Sequence, residues 1–215
     1  NGGTPNWGTN WGAGDVMYAN LDGKEGVNNG SNTLEDHGDL TIIGNNTPRY
    51  NFGLTLTGAW KGFDFSVFLQ GVMKRDYWLD GPYFWGANGG LWQSTAFKEH
   101  MDYWRPEGDP LGANTNAYYP KPYFNTDKNQ KVQSGYLQNA AYCRLKNAQI
   151  GYTLPKIWTR KAAMESVRVY VSGDNLVTFS GISGVFDPEL LGSDWGDGKL
   201  YPLQRTISIG LNVNF

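Results

Sequence analysis

The stretch Arg205–Phe215 alternates without interruption. Ile207, Ile209, Leu211, Val213 and Phe215 fall on one side, and Thr206, Ser208, Gly210, Asn212 and Asn214 on the other. A period of two belongs to a β-strand, whose successive side chains point to opposite faces. Nothing else in the chain constrains the fold as strongly, because such a strand needs an apolar medium on one face and a polar one on the other. Two environments supply that: the half-buried strand of a soluble sandwich, or a tilted strand crossing a bilayer between lipid and a wet lumen. The segment is long enough for the second.

Four further strands are expected. Asn51–Lys61 places Phe52, Leu54, Leu56, Gly58 and Trp60 opposite Gly53, Thr55, Thr57, Ala59 and Lys61. A tight turn at Lys61-Gly62 leads into Phe63–Val72, with Phe63, Phe65, Val67, Leu69 and Gly71 together, so the two form a hairpin. Ala141–Leu154 carries Ala148, Ile150, Tyr152 and Leu154 on one face and stops at Pro155. Its first half, Cys143 to Asn147, is out of phase, as a bulge or a protein-covered stretch would make it. Ser166–Thr178 sets Val167, Val169 and Val171 against Arg168, Tyr170 and Ser172.

The connections alternate in length: a two-residue turn, the long stretch to residue 140, the shorter Pro155–Glu165, then a second long stretch before residue 205. Outer-membrane barrels sort their connections in this way, tight on the periplasmic side and long outside. With Phe215 at the periplasmic end, residues 1–48 are external loop, 49–73 a barrel hairpin and 74–140 a long external loop. Residues 141–215 are then three terminal strands with a periplasmic turn and an external loop. Five strands do not close, since the smallest membrane barrels have eight and open edges in lipid leave costly unpaired backbone groups. The expected fold class is all-β, as part of a larger transmembrane barrel. The chain starts Asn1-Gly2-Gly3 without a visible signal peptide, which suggests a processed chain or a piece of something longer.

Composition removes several alternatives. Charged residues make up 18% and the formal net charge is −2, so there is no basic footprint for nucleic acid. No apolar run is long enough for a membrane-spanning helix. The lone Cys143 has no internal disulfide partner and reads as a small buried or lipid-facing residue. His37 and His100 are the only histidines and lie in separate loops. There is no zinc spacing, nucleophile elbow or phosphate-binding glycine loop. Glu107 with Asp109, and Asp187 with Glu189, offer carboxylates without an arguable partner. The chain is read as neither an enzyme nor a cofactor carrier.

Six segments resemble one family, in order and correctly spaced. Arg144-Leu145-Lys146-Asn147-Ala148-Gln149-Ile150-Gly151-Tyr152-Thr153-Leu154-Pro155 is similar to the RLKN…GYTLP signature of SusC/RagA-type TonB-dependent transporters. Arg168-Val169-Tyr170-Val171-Ser172-Gly173-Asp174-Asn175-Leu176, Phe186-Asp187-Pro188-Glu189 and Tyr201-Pro202-Leu203-Gln204-Arg205-Thr206 match the motifs that follow it, with Gln204 where the family has Pro. Upstream, Ile43-Gly44-Asn45-Asn46-Thr47-Pro48-Arg49-Tyr50 and Lys61-Gly62-Phe63-Asp64-Phe65-Ser66 also resemble family motifs.

The resemblance implies the C-terminal part of a plugged barrel of about 22 strands in the outer membrane of Bacteroidetes. Such proteins import glycans or oligopeptides under a SusD-like surface lipoprotein, driven by the TonB–ExbB–ExbD complex acting on a plug. That plug and most of the barrel would lie upstream of this chain. The chain's contribution would be lipid-facing wall, external loops and an assembly signal at Phe215.

In the loop between residues 74 and 139, Trp78, Trp85, Trp92, Tyr103 and Trp104 are candidates for contact with lid or cargo, because flat aromatic faces suit sugar rings and protein partners alike. Self-packing into a small loop core is the competing reading. Asn20–Gly26 resembles a calcium loop of the family, but Asn20 and Lys24 stand where carboxylates would be. Asp22 and Glu25, with Glu35 and Asp36, remain weak candidates in what reads as a solvated turn without metal. The rival classes are a soluble β-sandwich carbohydrate-binding module and a hydrolase domain of a surface protein; either would be soluble and folded alone.

Overall fold

A computed structural model describes residues 2–3, 11–86, 96–123, 128–192 and 197–215. The chain forms two compact units, each assembled from several segments. The first comprises residues 1–44, 78–137 and 192–199, and the second residues 45–77, 138–191 and 200–215.

The second unit is an antiparallel sheet. Its long strands are β3 (Asn51–Trp60), β4 (Phe63–Val72), β6 (Leu137–Thr153), β7 (Ser166–Gly181) and β8 (Thr206–Asn214), in the order β3-β4-β6-β7-β8. The short β5 (Asp76–Trp78) also pairs with β6. All five expected strands are present, and β6 and β7 run several residues further at their loop ends than alternation alone indicated.

Register explains why alternation was readable. Gly58 pairs with Phe65, Phe65 with Ile150, Ile150 with Val171 and Val171 with Ile209. One apolar row therefore crosses the whole sheet. On the other face Thr57, Ser66, Gln149, Ser172 and Ser208 form an equally continuous polar row. The apolar face is uncovered: Phe65 is 48% exposed, Ile150 57% and Ile209 80%. That is the face a sandwich would bury against a second sheet.

The out-of-phase start of β6 is a bulge. Phe68 faces Asn147 and Leu69 faces Leu145, so Lys146 is the extra residue. Opposite it, β7 carries its own irregularity between Asp174 and Val177, where Asn175 adopts φ 50°. The bulge returns Leu145 and Cys143 to the apolar row beside Leu69 and Gly71. It also sends Arg144, Lys146 and Asn147 to polar partners.

Glycine has a defined place in this sheet. Gly58, Gly71 and Gly210 lie directly opposite Phe65, Phe52 and Tyr170, and each aromatic ring covers its cross-strand glycine. A Cβ at any of them would collide with the ring.

The Lys61-Gly62 turn, the Pro155–Glu165 connection and the end of β8 lie at one end of the sheet, because Trp60 pairs with Phe63, Thr153 with Arg168 and Ser166 with Asn214. The long connections leave from the other end.

The first unit has little regular structure. β1 (Gly2–Gly3) pairs with β2 (Tyr18–Ala19), short 3-10 turns occur at Lys98–Met101, Lys128–Gln130 and Ser134–Tyr136, and the α-helical turn α1 (Pro82–Trp85) starts on a proline, whose fixed φ suits a first turn.

Gly210→Ala in the intact protein is expected to displace the Tyr170 ring and lower unfolding stability by about 1–3 kcal/mol, the usual range for overpacking. Gly184→Ala, where nothing lies within 4 Å of the added carbon, is expected to leave it unchanged. Denaturant unfolding in detergent micelles measures both.

Candidate functional site

Two side-chain assemblies stand out, one in each unit. In the first unit the aromatic residues of the long loop gather around Phe84. Its ring meets Trp85 edge-on at 5.0 Å, Tyr119 at 5.7 Å and Tyr136 at 6.4 Å. Trp85 and Tyr136 lie 4.9 Å apart, and Tyr119 stacks on Tyr136. Edge-to-face geometry at these spacings is the favourable arrangement of ring quadrupoles. His100 locks the cluster: its Nδ1 accepts the Phe97 N–H at 2.9 Å, which leaves Nε2 to donate to the Phe84 carbonyl at 3.0 Å. Burial pushes the Tyr119 and Tyr136 phenols well above the usual tyrosine value, and Tyr118 beside them adds to the shift.

The aromatic candidates therefore divide. Trp85 is buried inside the cluster, so its ring belongs to the loop's own core. Trp78 is half-buried at the edge of this cluster, 5.7 Å from Trp85. Tyr103 and Trp104 are half-buried: Tyr103 bridges to Tyr119 and the Trp104 N–H donates to the Tyr119 carbonyl, while Arg105 covers the Tyr103 ring at 4.8 Å and Gly14 rests on Trp104. Trp92 lies outside the described residues.

A buried ion pair ties the first unit's distant segments together. Lys128 Nζ donates to Asp15 at 2.7 Å, Asn129 donates to the other Asp15 oxygen at 2.9 Å, and the ammonium sits 4.3 Å from the Tyr123 ring centre. Burial alone would raise the Asp15 pKa, but hydrogen bonds from Lys128, Asn129 and the Gly12 N–H outweigh it and hold the carboxyl below its usual value.

At the possible calcium loop a lysine takes the cation's place. Lys24 Nζ lies 3.5 Å from Asp22 and 3.6 Å from Asp36. Asn20 closes the turn by donating to the Lys24 and Gly26 carbonyls. Asp39, which sequence reasoning passed over, accepts the N–H groups of Leu21, Asp22 and Asn28. Those backbone donors hold its carboxyl below the usual range. Glu25 is exposed, and no group of three or more metal-ligating side chains occurs among the described residues.

The second unit's assembly lies where β6 and β7 leave the sheet. Arg144 Nε donates to Thr178 Oγ1 at 2.7 Å and Nη2 to Asp187 at 2.7 Å, while Nη1 lies 3.0 Å from Glu189. Lys146 Nζ reaches the other Glu189 oxygen at 2.9 Å. Asp187 also accepts the Glu189 N–H, and its second oxygen accepts that of Leu203. The carboxylates of Asp187 and Glu189, which lacked partners in sequence, thus meet the bulged segment of β6. Further along the polar face, Arg168 grips Asp64 with two nitrogens, and Asn147 donates to Asp174 at 2.8 Å. Phe215 is 89% exposed at the end of β8.

No family model matches the chain. Over 94% of its length it is 30% identical to TonB-dependent receptor P3 of Formosa agariphila, of which it spans 19%. Over 87% of its length it is 26% identical to TonB-dependent receptor SusC of Bacteroides thetaiotaomicron, of which it spans 17%. Among solved structures, the RagAB peptide transporter aligns with a TM-score of 0.54 at 28% identity, covering 76% of this chain and 17% of that one. The RagAB peptide importer in its open-open state aligns with a TM-score of 0.57 at 27% identity, covering 81% and 18%. The chain thus spans about a fifth of the length of the relatives it matches.

Two outcomes follow from this geometry. Asp15 contributes fully above its ordinary pKa of 3.8 and progressively less as pH falls towards its lower folded value. Amide-exchange protection around residues 12–16 and 128–130, taken relative to the intrinsic rate at each pH, is expected to fall below that pH and stay high at neutrality. Asp187→Ala leaves Arg144 buried with only Thr178 and Glu189 beside it, a loss of about 3 kcal/mol. Limited proteolysis of the intact protein is expected to cut within residues 182–205 of that variant and spare the parent.

Proposed function

We propose that this chain, a piece of a TonB-dependent receptor of the SusC/RagA type, forms a stretch of wall and external loops in an outer-membrane importer. The complete receptor is a plugged barrel of about 22 strands, and its cargo is glycan or oligopeptide. A SusD-like lipoprotein covers its outer mouth, and the TonB–ExbB–ExbD complex drives it through a plug carried by the rest of the receptor. The observation that carries the reading is the uncovered apolar row opposed to a continuous polar row. In water that row would be an aggregation surface; against lipid it is the required outer surface of a barrel. The sheet's two edges, β3 and β8, each pair on one side among the described residues, which suits continuation into neighbouring strands.

Residues 1–48, 74–140 and the β7–β8 connection are the external side in this reading, and the two short connections are periplasmic. Trp78, Tyr103 and Trp104 are only half-buried and are the residues offered to lid or cargo; Trp85 packs against Trp78 from inside. Phe215 serves as the assembly signal. The oligopeptide alternative gains support from the RagAB neighbours, which are named as peptide importers. The soluble carbohydrate-binding sandwich is disfavoured because the face it would bury is open.

The test uses the full receptor folded into lipid vesicles. Ile209→Arg, in the middle of the apolar row, is expected to cost about 2–4 kcal/mol of folding free energy. Ser208→Arg, on the opposite face, is expected to cost much less. Equal costs at the two positions would overturn the membrane reading.

A further inference from the structure

The connection between β6 and β7 carries more exposed apolar surface than a turn in water would keep. Its helical turn α2 (Lys156–Thr159) buries Thr159 and leaves Ile157 75% and Trp158 62% exposed. Around this apolar pair stand Lys156, Arg160 and Lys161, all exposed. The turn is fixed rather than frayed: Leu154 N–H bonds to the Val167 carbonyl, Met164 N–H to the Thr159 carbonyl, and Ala163 closes it at φ 55°.

The same end of the sheet repeats this chemistry. Trp60 is 70% exposed with the Lys61 ammonium 4.8 Å from its ring centre, and Phe63 packs against Tyr152 at 4.5 Å. Thr153 N–H bonds to the Gly62 carbonyl, which joins the two turns. The acids near this end are Asp64, gripped by Arg168, and Glu165. Four cations, Lys61, Lys156, Arg160 and Lys161, thus share this end of the sheet with uncovered apolar and aromatic side chains in a chain whose formal net charge is −2. Tryptophan prefers the boundary between hydrocarbon and headgroups, and basic side chains there meet lipid phosphates.

We infer that the Lys156–Lys161 turn is a membrane anchor that seats Ile157 and Trp158 among the acyl chains of the periplasmic leaflet and sets Lys156, Arg160 and Lys161 on anionic phospholipid headgroups. The inference rests on the membrane reading of the sheet. Charge complementarity, and the Thr153–Gly62 hydrogen bond that joins this connection to the end of the apolar row at Trp60, Phe63 and Tyr152, select a lipid surface as the occupant. The anchor fixes the depth of the barrel wall at its turn end, where Tyr152 of β6 pairs with Val169 of β7 and keeps the outer face apolar down to the turn.

The test places single spin labels at positions 157, 158 and 209 of the full receptor, in a Cys143→Ser background. The receptor is reconstituted in vesicles of phosphatidylethanolamine and phosphatidylglycerol. Collision with oxygen is compared with collision with a water-soluble nickel chelate. Labels at 157 and 158 are expected to meet oxygen several-fold more often than nickel. Triple substitution of Lys156, Arg160 and Lys161 by Gln is expected to shift both labels towards nickel, and phosphatidylcholine in place of phosphatidylglycerol to do the same. Nickel-accessible labels at 157 and 158, with the 209 label still in lipid, would overturn the anchor and leave the membrane reading standing. Nickel access at 209 as well would overturn both. Lipid contact that ignores the basic residues and the headgroup charge would overturn the phosphate-binding half.

Discussion

Everything in the second unit depends on the backbone ladder that joins β3, β4, β6, β7 and β8. Each interior strand satisfies its N–H and C=O groups only through its two neighbours, so the strands must stay in register along their whole length. Because side chains alternate with a period of two, a slip of one residue would put every leucine and valine of a strand among the serines and threonines. The continuous apolar and polar rows are the visible result of that constraint. They also account for the glycines at positions 58, 71 and 210, each of which admits a cross-strand ring that would otherwise have no room.

The bulge at Lys146 is where the ladder yields to the loops. One extra residue in β6 lets Arg144, Lys146 and Asn147 reach polar partners without taking Leu145 or Cys143 off the apolar row. The guanidinium of Arg144 then holds both carboxylates of the Asp187–Glu189 segment. A buried charge is tolerable only when it is paired, and here Thr178 and Asp187 accept hydrogen bonds from Arg144 while Glu189, 3.0 Å from Nη1, adds a second countercharge. The strand and the connection that follows β7 are consequently one mechanical element.

The first unit solves a different problem. Long connections bury little apolar surface and carry many polar backbone groups. Here stability comes from an aromatic core around Phe84 and from single carboxylates that collect several donors. Asp15 gathers Gly12, Lys128 and Asn129, and Asp39 gathers Leu21, Asp22 and Asn28. Lys24 supplies from within the chain the positive charge that a metal would bring to such a turn.

The sequence alone determined the strands, their faces and the order of long and short connections, because period-two alternation and turn residues act over a few neighbouring positions. It also marked the defect in β6, since Cys143 to Asn147 break the phase visibly. It could not show which residues meet across long separations. The pairing of Arg144 with Asp187, the capture of Asp15 by Lys128 and the cluster that takes in Trp85 join segments far apart in the chain, and no local pattern encodes those distances. Among the aromatic candidates, composition could say only that the loop was rich in rings. Tertiary packing decided that Trp85 is core while Trp78, Tyr103 and Trp104 keep part of their surface free, because burial is a property of neighbours and not of residue type.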